Sequence, residues 1–133
     1  MTSLLLRDAG EKPEKKRQAA PGSEEESATE KTIRCAACAA HVSDASAIFS
    51  PTGGPSRRLF ANPSGQVFEI LTLRWAHGHA VGERTLEFTW FPGFAWRGLL
   101  CAGCARHLGW RFDSTTGGED FCGLITSTIV EGP

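Results

Sequence analysis

The sequence predicts an all-β domain whose antiparallel sheets are pinned by a structural zinc site with four cysteine ligands. Short runs of β-branched and aromatic residues recur after Thr32, separated by Pro- and Gly-rich turns, and no amphipathic helical pattern interrupts them. Four of the five cysteines form two Cys-x-x-Cys pairs. A chain of 133 residues suits one domain, and a small β domain often needs such a metal staple.

The first 29 residues differ in composition from the rest of the chain. They are rich in Glu, Lys, Ala, Ser, Pro and Gly and hold almost no large apolar residue after Leu6. Such a segment buries too little apolar surface to offset the entropy lost on ordering. We therefore expect a disordered leader over residues 1–29 and the domain over residues 30–133, with ordered structure starting near Ile33.

The first half of the domain predicts two strands and two loops. A short strand is expected at residues 45–50, before a Pro- and Gly-rich loop at 51–58. Asn62-Pro63-Ser64-Gly65 is a strong turn signal. The clearest strand follows at residues 66–76, where β-branched and aromatic residues dominate and large apolar residues recur on one parity.

The second half predicts four more strands, at residues 84–90, 94–100, 107–112 and 121–129. Residues 77–82 read as a loop, so the simplest arrangement pairs strand 66–76 with strand 84–90 antiparallel. Pro92-Gly93 breaks the chain between two strands, and a loop at 113–120 contains Gly117-Gly118.

The two Cys-x-x-Cys pairs predict a zinc site formed by Cys35, Cys38, Cys101 and Cys104. Each pair presents two thiolates from one tight turn, and two turns complete the tetrahedral set of a structural Zn²⁺. Four cysteines leave no open position for water, so the expected role of the metal is structural. His107, three residues after Cys104, could replace a ligand, but packing or hydrogen bonding is the expected role.

The remaining thiol and histidines have simpler expected roles. Cys122 is expected to be a buried, inert cysteine, because a free cysteine behaves as a small hydrophobe in protein cores. A redox nucleophile is the alternative role for Cys122. His41, His77 and His79 lie in loop-like sequence and are expected to be solvated.

Charge and hydropathy narrow the classes of partner. A net charge of −1 gives no basic footprint for nucleic acid or an anionic membrane. No apolar run reaches the roughly 20 residues of a membrane span, and Leu4-Leu5-Leu6 is too short for a secretory signal. We expect a cytoplasmic protein without nucleic-acid or membrane partners; oligomeric state is left open.

Three of the four tryptophans lie between Phe88 and Phe112, a stretch without Asp or Glu. Core packing is one interpretation of Trp90, Trp96 and Trp110, because aromatic residues dominate protein cores. A ligand cage is the other interpretation, since the zinc site would bring the segments that carry these tryptophans together. A cationic guest would usually need a nearby carboxylate, so the stretch favours a neutral, flat, polar ring.

The segments FTWFPGFAW and CAGCARHLGWRF, with the upstream CAAC and Asn62-Pro63, closely resemble the CULT domain, the thalidomide-binding domain of cereblon. The resemblance covers about residues 33–129. Without the other parts of the eukaryotic protein, the chain looks like a single-domain, bacterial-type member. The resemblance implies a β-tent, in which two antiparallel sheets meet at a steep angle and zinc pins them.

The resemblance also implies a ligand and a site. The expected ligands are cyclic imides such as glutarimide, thalidomide and succinimide, uracil-type rings, and a cyclic imide at a protein C-terminus. The walls of the cage would be Trp90, Trp96 and Trp110, with Phe112 at the base. Phe88 and Thr89 would offer backbone hydrogen bonds, and Asn62 and Pro63 would line the rim.

Three positions depart from the family pattern: Phe88 and Ser64 replace histidines of the vertebrate protein, and Cys122 replaces an aromatic residue. Two alternative functions remain. One is an enzyme resembling methionine sulfoxide reductase B that uses Cys122, although the sequence lacks that family's catalytic motif and a resolving cysteine. The other is a zinc-dependent interaction module whose aromatic cluster is only core.

Overall fold

The computed structural model describes residues 31–132, so the expected leader at 1–29 lies outside the described residues. The described chain is all-β, with two short 3-10 turns at Ala45–Ala47 and Thr126–Thr128. No helix within these residues is long and apolar enough to cross a membrane. The nine strands are β1 (Thr32–Cys35), β2 (His41–Asp44), β3 (Arg57–Ala61), β4 (Val67–Leu73), β5 (His79–Thr85), β6 (Phe94–Leu100), β7 (His107–Ser114), β8 (Phe121–Ile125) and β9 (Ile129–Gly132).

The strands form two antiparallel sheets, which confirms the predicted fold class. The small sheet has the order β2-β1-β9, and the large sheet has the order β3-β4-β8-β7-β6-β5. The 3-10 turn Thr126–Thr128 carries the chain from β8 in the large sheet to β9 in the small sheet. Inside this turn the hydroxyl of Thr128 donates a 2.7 Å hydrogen bond to the carbonyl of Ile125.

Two cores lie on opposite faces of the large sheet. The first is aliphatic and joins residues of the small sheet, such as Ile33, to Leu124 and Cys122 of β8. The second is aromatic and centres on Phe91, Phe112 and Phe121. Phe121 and Cys122 are consecutive in β8, and successive strand residues face opposite sides. The large sheet therefore separates the aliphatic core from the aromatic one.

Several predicted strands are confirmed. The strand β6 has the predicted bounds, β4 lies within the predicted 66–76, and β7 covers 107–112 and continues to Ser114. The turn signal at 62–65 lies between β3 and β4 as expected, with Gly65 at φ 91°. The predicted strand 121–129 is instead split into β8, a 3-10 turn and the start of β9.

The predicted strand at 45–50 is wrong. The strand β2 ends before it, residues 45–47 form a 3-10 turn, and Ile48 makes only an isolated bridge with Leu73. The expected loop at 51–58 is shorter by two residues, because β3 begins at Arg57. His41 and His79 also lie in strands, not in loops, while His77 lies outside the strands.

The predicted strand 84–90 and its pairing with 66–76 are also wrong. The strand β5 occupies His79–Thr85 and pairs with β6, whereas β4 pairs with β3 and β8. After Thr85 the backbone turns, and Phe88 adopts φ 57°. Leu86 and Phe88 are 53% and 70% exposed, so their apolar alternation reflects surface residues and not a core-facing strand.

Candidate zinc cluster and aromatic cavity

The four predicted cysteine ligands converge at one point. The Sγ atoms of Cys35, Cys38, Cys101 and Cys104 all lie within 4.8 Å of one another. The Sγ–Sγ distance is 3.8 Å between Cys35 and Cys104, and 3.5 Å between Cys38 and Cys101. A Zn²⁺ tetrahedron with Zn–S bonds of about 2.3 Å has sulfur–sulfur edges of about 3.8 Å. The cluster can therefore hold a zinc ion.

The two Cys-x-x-Cys turns share one backbone geometry. In each turn the first cysteine donates its N–H five residues ahead and accepts an N–H from four residues ahead, at 2.8–2.9 Å. The residue after each pair, Ala39 or Ala105, has φ 66° or 65°. These bonds wrap the backbone around the sulfurs. Gly103 also donates its N–H to Cys101 Sγ at 3.3 Å, a contact that orients this sulfur as a metal ligand.

The cysteine cluster joins the two sheets. Cys35 is the last residue of β1 in the small sheet, and Cys101 directly follows β6 of the large sheet. Both are 1% exposed. Burial raises the pKa of the Cys35 thiol, but hydrogen bonds from the backbone of Cys38 and Ala37 and from the thiols of Cys104 and Cys101 lower it to about 7. The neighbouring sulfurs raise the pKa of Cys38 to about 12, so the thiols share their protons unevenly, and a bound metal would have to displace the remaining ones.

The predicted tryptophans line one cavity of about 530 Å³. This volume lies in the range of small-molecule sites, about 300–1,000 Å³. The residues that line it come from the β3–β4 turn, the end of β5, the β5–β6 connection, β6 and β7: Asn62, Pro63, Thr85, Glu87, Phe88, Trp90, Trp96, Trp110 and Phe112.

The aromatic walls are fixed by packing. Trp90 and Trp110 meet edge to face, with ring centroids 4.9 Å apart at 79°. Phe60 stacks on Trp90, with centroids 4.9 Å apart and planes 12° apart. Phe112 is 1% exposed and packs at 4.9 Å against Phe91. These contacts restrict the rings before any ligand arrives, which lowers the entropy lost on binding.

Two indole N–H groups are also held by the backbone. Trp90 Nε1 donates to the carbonyl of Ala61 at 2.9 Å, and Trp96 Nε1 donates to the carbonyl of Glu87 at 2.7 Å. Among residues 31–132, no hydrogen bond of comparable length engages Trp110 Nε1. Trp110 therefore keeps a donor that a ligand can use.

The rim is shaped by Asn62. Its Oδ1 accepts hydrogen bonds from the backbone N–H of Gln66 at 2.9 Å and from the hydroxyl of Ser64 at 2.8 Å. Its carbonyl accepts from the N–H of Gly65 at 2.9 Å. These bonds use the side-chain oxygen of Asn62 to form the turn, so Asn62 fixes the rim as well as lining it.

Thr89 is the one predicted site residue that does not line the cavity. Its hydroxyl donates to the carbonyl of Phe94 at 2.7 Å, so it secures the turn beside the cavity. Phe88 does line the cavity. Within the described chain its backbone N–H and C=O form no hydrogen bond, which leaves both groups for a ligand or water.

Thr85 and Glu87 line the cavity, and sequence reasoning missed both. The tryptophan-rich stretch begins at Phe88, so Glu87 lies one residue before it. An acidic residue therefore lies on the cavity wall, next to a stretch that itself holds no Asp or Glu. The available signal was the adjacency of Glu87 to Phe88 in the sequence.

The other candidates have structural roles. Cys122 is 3% exposed in the aliphatic core, and burial raises the pKa of its thiol to about 11. This thiol is protonated near neutral pH, as expected for an inert cysteine. His107 Nε2 lies 2.8 Å from the carbonyl of Gly109, and its ring packs edge to face on Trp110 at 4.9 Å. His107 is not part of the four-sulfur cluster.

Comparisons with known proteins point to one family. Residues 31–124 match the Yippee-Mis18 family, described as Yippee zinc-binding/DNA-binding/Mis18, centromere assembly. The chain is 34% identical to cereblon of Drosophila willistoni over 109 residues, which is 77% of this chain and 18% of that protein. It is 33% identical to cereblon of Drosophila melanogaster over 104 residues, 74% of this chain and 18% of that protein. The chain thus spans about a sixth of the length of these relatives.

Proposed function

Because this chain belongs to the Yippee-Mis18 family and its domain is cereblon-like, we propose that it is a binding domain whose cavity takes a cyclic imide or a uracil-type ring. The cereblon matches confirm the family that the residues predicted. The proposed ligands are a free small molecule or a cyclic imide at the C-terminus of a protein.

The observation that carries the proposal is the convergence of Trp90, Trp96, Trp110 and Phe112 on one cavity. Indole rings offer flat apolar faces to the two faces of a small ring. An imide has one polar edge, with an N–H donor between two carbonyl acceptors. The free backbone groups of Phe88 and the indole N–H of Trp110 supply matching acceptors and donors for that edge.

The proposed metal is a structural Zn²⁺ held by the four cysteines of the cluster. When bound, the ion would crosslink the small sheet to the end of β6 and leave no coordination position for a substrate. Trp96, Trp110 and Phe112 are then carried on strands of a stapled sheet, which keeps this part of the aromatic wall in place without a ligand.

Titration of the purified protein with glutarimide, followed by tryptophan fluorescence, tests the proposal. We expect saturable quenching that is lost in Trp96→Ala and kept in Trp75→Phe, because Trp75 lies outside the cavity. The N-methylated imide should bind far more weakly, since methylation removes the N–H donor and leaves a buried partner unpaired. Absence of saturation in the wild type, or equal binding by Trp96→Ala, contradicts the proposal.

Glu87 supports a second class of ligand, a small organic cation. Cation–π attraction to indole faces, aided by a carboxylate, favours quaternary ammonium groups. Tetramethylammonium and trimethyl-lysine should therefore be titrated in parallel, with Glu87→Gln as the matched variant. Saturable binding of the cation that weakens in Glu87→Gln, without imide binding, would replace the imide proposal.

The alternative functions receive less support. An enzyme that uses Cys122 needs an accessible thiolate, whereas this thiol is buried with a raised pKa. An interaction module with a purely structural aromatic cluster predicts that tryptophan substitutions unfold the domain.

Lysine and arginine number 14 against 15 acidic residues, so a nucleic-acid partner is not proposed. A cytoplasmic location stays a proposal, based on free thiols in a zinc cluster.

A further inference from the structure

An ionic cluster lies behind the cavity, on the other face of the large sheet. Asp113 follows Phe112 in β7, so the two side chains point to opposite faces. The Asp113 side chain is only 7% exposed. Arg111 Nε donates to its Oδ1 at 2.9 Å, and the Nε atoms of Arg84 and Arg97 lie 3.6 Å from its Oδ2.

Each arginine of this cluster is a chain neighbour of a cavity residue. The pairs lie on three adjacent strands: Arg84 precedes Thr85 at the end of β5, Arg97 follows Trp96 in β6, and Arg111 lies between Trp110 and Phe112 in β7. The single carboxylate of Asp113 therefore links three strands whose opposite faces form the cavity.

The strand β5 depends most on this link. Val81 pairs with Gly98 and Thr85 pairs with Trp96, so residues 82–84 bulge opposite the single residue Arg97. Gly82 has φ 84° within the bulge. A bulge leaves its extra residues without ladder hydrogen bonds. The contact from Arg84 to Asp113 is thus a side-chain tether for backbone that the ladder does not hold.

The bulge leads directly into a wall of the cavity. Thr85, Glu87 and Phe88 follow it and all line the cavity. On the cavity side, this wall is held by the hydrogen bond from Trp96 Nε1 to the carbonyl of Glu87. On the back of the sheet, it is held by Asp113. The wall is therefore fixed from both faces of the sheet, through Arg84 on one face and the carbonyl of Glu87 on the other.

The charge of Asp113 dominates this link. Within residues 31–132, Arg97 Nε and Asp113 Oδ2 are buried without a hydrogen-bond partner, so their interaction is a charge contact at 3.6 Å. Such contacts strengthen away from water. Loss of the charge would leave Arg111 with Asp120, at 3.4 Å, and would leave Arg84 and Arg97 facing each other across β5 and β6 without this carboxylate, so their repulsion would push the bulge of β5 outward.

We propose that Asp113 is a positioning residue for the cavity, which holds the wall at residues 85–88 against Trp96 through Arg84 and Arg97. This inference rests on the proposed function for its effect on ligand affinity. Its effect on the wall itself can be measured without a ligand.

The test compares Asp113→Asn and Arg84→Met with the control Glu131→Gln. The control also removes a carboxylate paired with an arginine, the 2.6 Å contact to Arg57, but Glu131 lies in the small sheet. Glutarimide affinity should fall about tenfold in Asp113→Asn and fall also in Arg84→Met. It should stay at the wild-type value in Glu131→Gln.

Solvent exchange of the Trp96 indole N–H, followed by NMR, is the readout that needs no ligand. Exchange should accelerate in Asp113→Asn and Arg84→Met, because the wall that accepts this hydrogen bond loosens. If the wild type does not bind glutarimide, the proposed function fails, while the exchange rates still decide the role of Asp113. Wild-type exchange in both variants would overturn the inference. Should Asp113→Asn not fold, Arg84→Met decides, since its side chain is 61% exposed and replaceable.

Discussion

Gly123 in β8 is the cross-strand partner of Trp110 in β7, and it leaves the space that the cavity floor occupies. A methyl group built on Gly123 would lie 3.0 Å from Cε2 of Phe112 and 2.8 Å from Cγ2 of Ile70. Real side chains do not tolerate such distances without movement. The missing side chain of Gly123 thus leaves room for the Phe112 ring at the base of the cavity.

Gly123→Ala should destabilise the domain by about 1–3 kcal/mol, because overpacking a close-packed core forces strained rotamers or backbone shifts. Urea unfolding measures the loss. Gly132→Ala is the matched control, since a methyl group there meets nothing within 4 Å. Equal stability of the two variants would mean that the floor adjusts without cost.

Removal of one cysteine of the zinc cluster should remove both metal and stability. We expect about one zinc per wild-type chain by elemental analysis, and loss of that metal in Cys101→Ser, since a structural site needs all four ligands. Thermal unfolding of this variant should then occur at a much lower temperature, because the free energy of zinc binding contributes to the stability of the fold. Cys122→Ser should keep the zinc. If wild-type protein stripped of its metal still unfolded at the temperature of the zinc-loaded protein, this role would be contradicted.

The sequence predicts the cysteine cluster and the tryptophans better than the strand pairing. Ligand spacing and aromatic residues are local features, so Cys35 and Cys101 can be assigned from their motifs. Pairing depends on contacts between distant segments. The apolar alternation at Leu86 and Phe88 imitates a buried strand, although both residues are exposed. Local patterns cannot tell a core-facing residue from one that faces solvent beside a ligand site.

The sequence does not predict Thr85 and Glu87 as cavity residues for the same reason. Glu87 reaches the cavity because β5 bulges and then turns at Phe88, with φ 57°. A positive φ at a phenylalanine has no sequence signature, since glycine or asparagine is the residue that usually marks it. The role of Asp113 is also hidden from the sequence, because its three arginine partners come from three strands.

The stability of the domain at alkaline pH should depend on Cys122. Burial raises the pKa of this thiol from 9.0 to about 11. The unfolded chain therefore loses this proton at lower pH than the folded chain. The stabilisation is fully present below pH 9.0 and is lost as the pH rises towards about 11.

Between pH 8 and pH 11 the wild type should lose about 2 kcal/mol more of its unfolding free energy than Cys122→Ala. Urea unfolding at several pH values measures the difference, and the zinc cysteines are common to both proteins. At pH 8, Cys122 should also resist a thiol reagent until the domain unfolds. Parallel pH profiles for the two proteins would show that Cys122 titrates as it does in the unfolded chain.

Ala39 and Ala105 offer a prediction about the two zinc turns. Both have positive φ, at 66° and 65°, where a Cβ atom costs about 1–2 kcal/mol. Glycine removes this strain but adds flexibility to the unfolded chain, so Ala105→Gly should gain a net stability of about 0.5 kcal/mol. Ala105→Val should instead lose stability, because a β-branched residue suits this conformation least. Urea unfolding of the zinc-loaded proteins measures whether each substitution raises or lowers the unfolding free energy. A loss of stability in Ala105→Gly would show that the turn carries no strain.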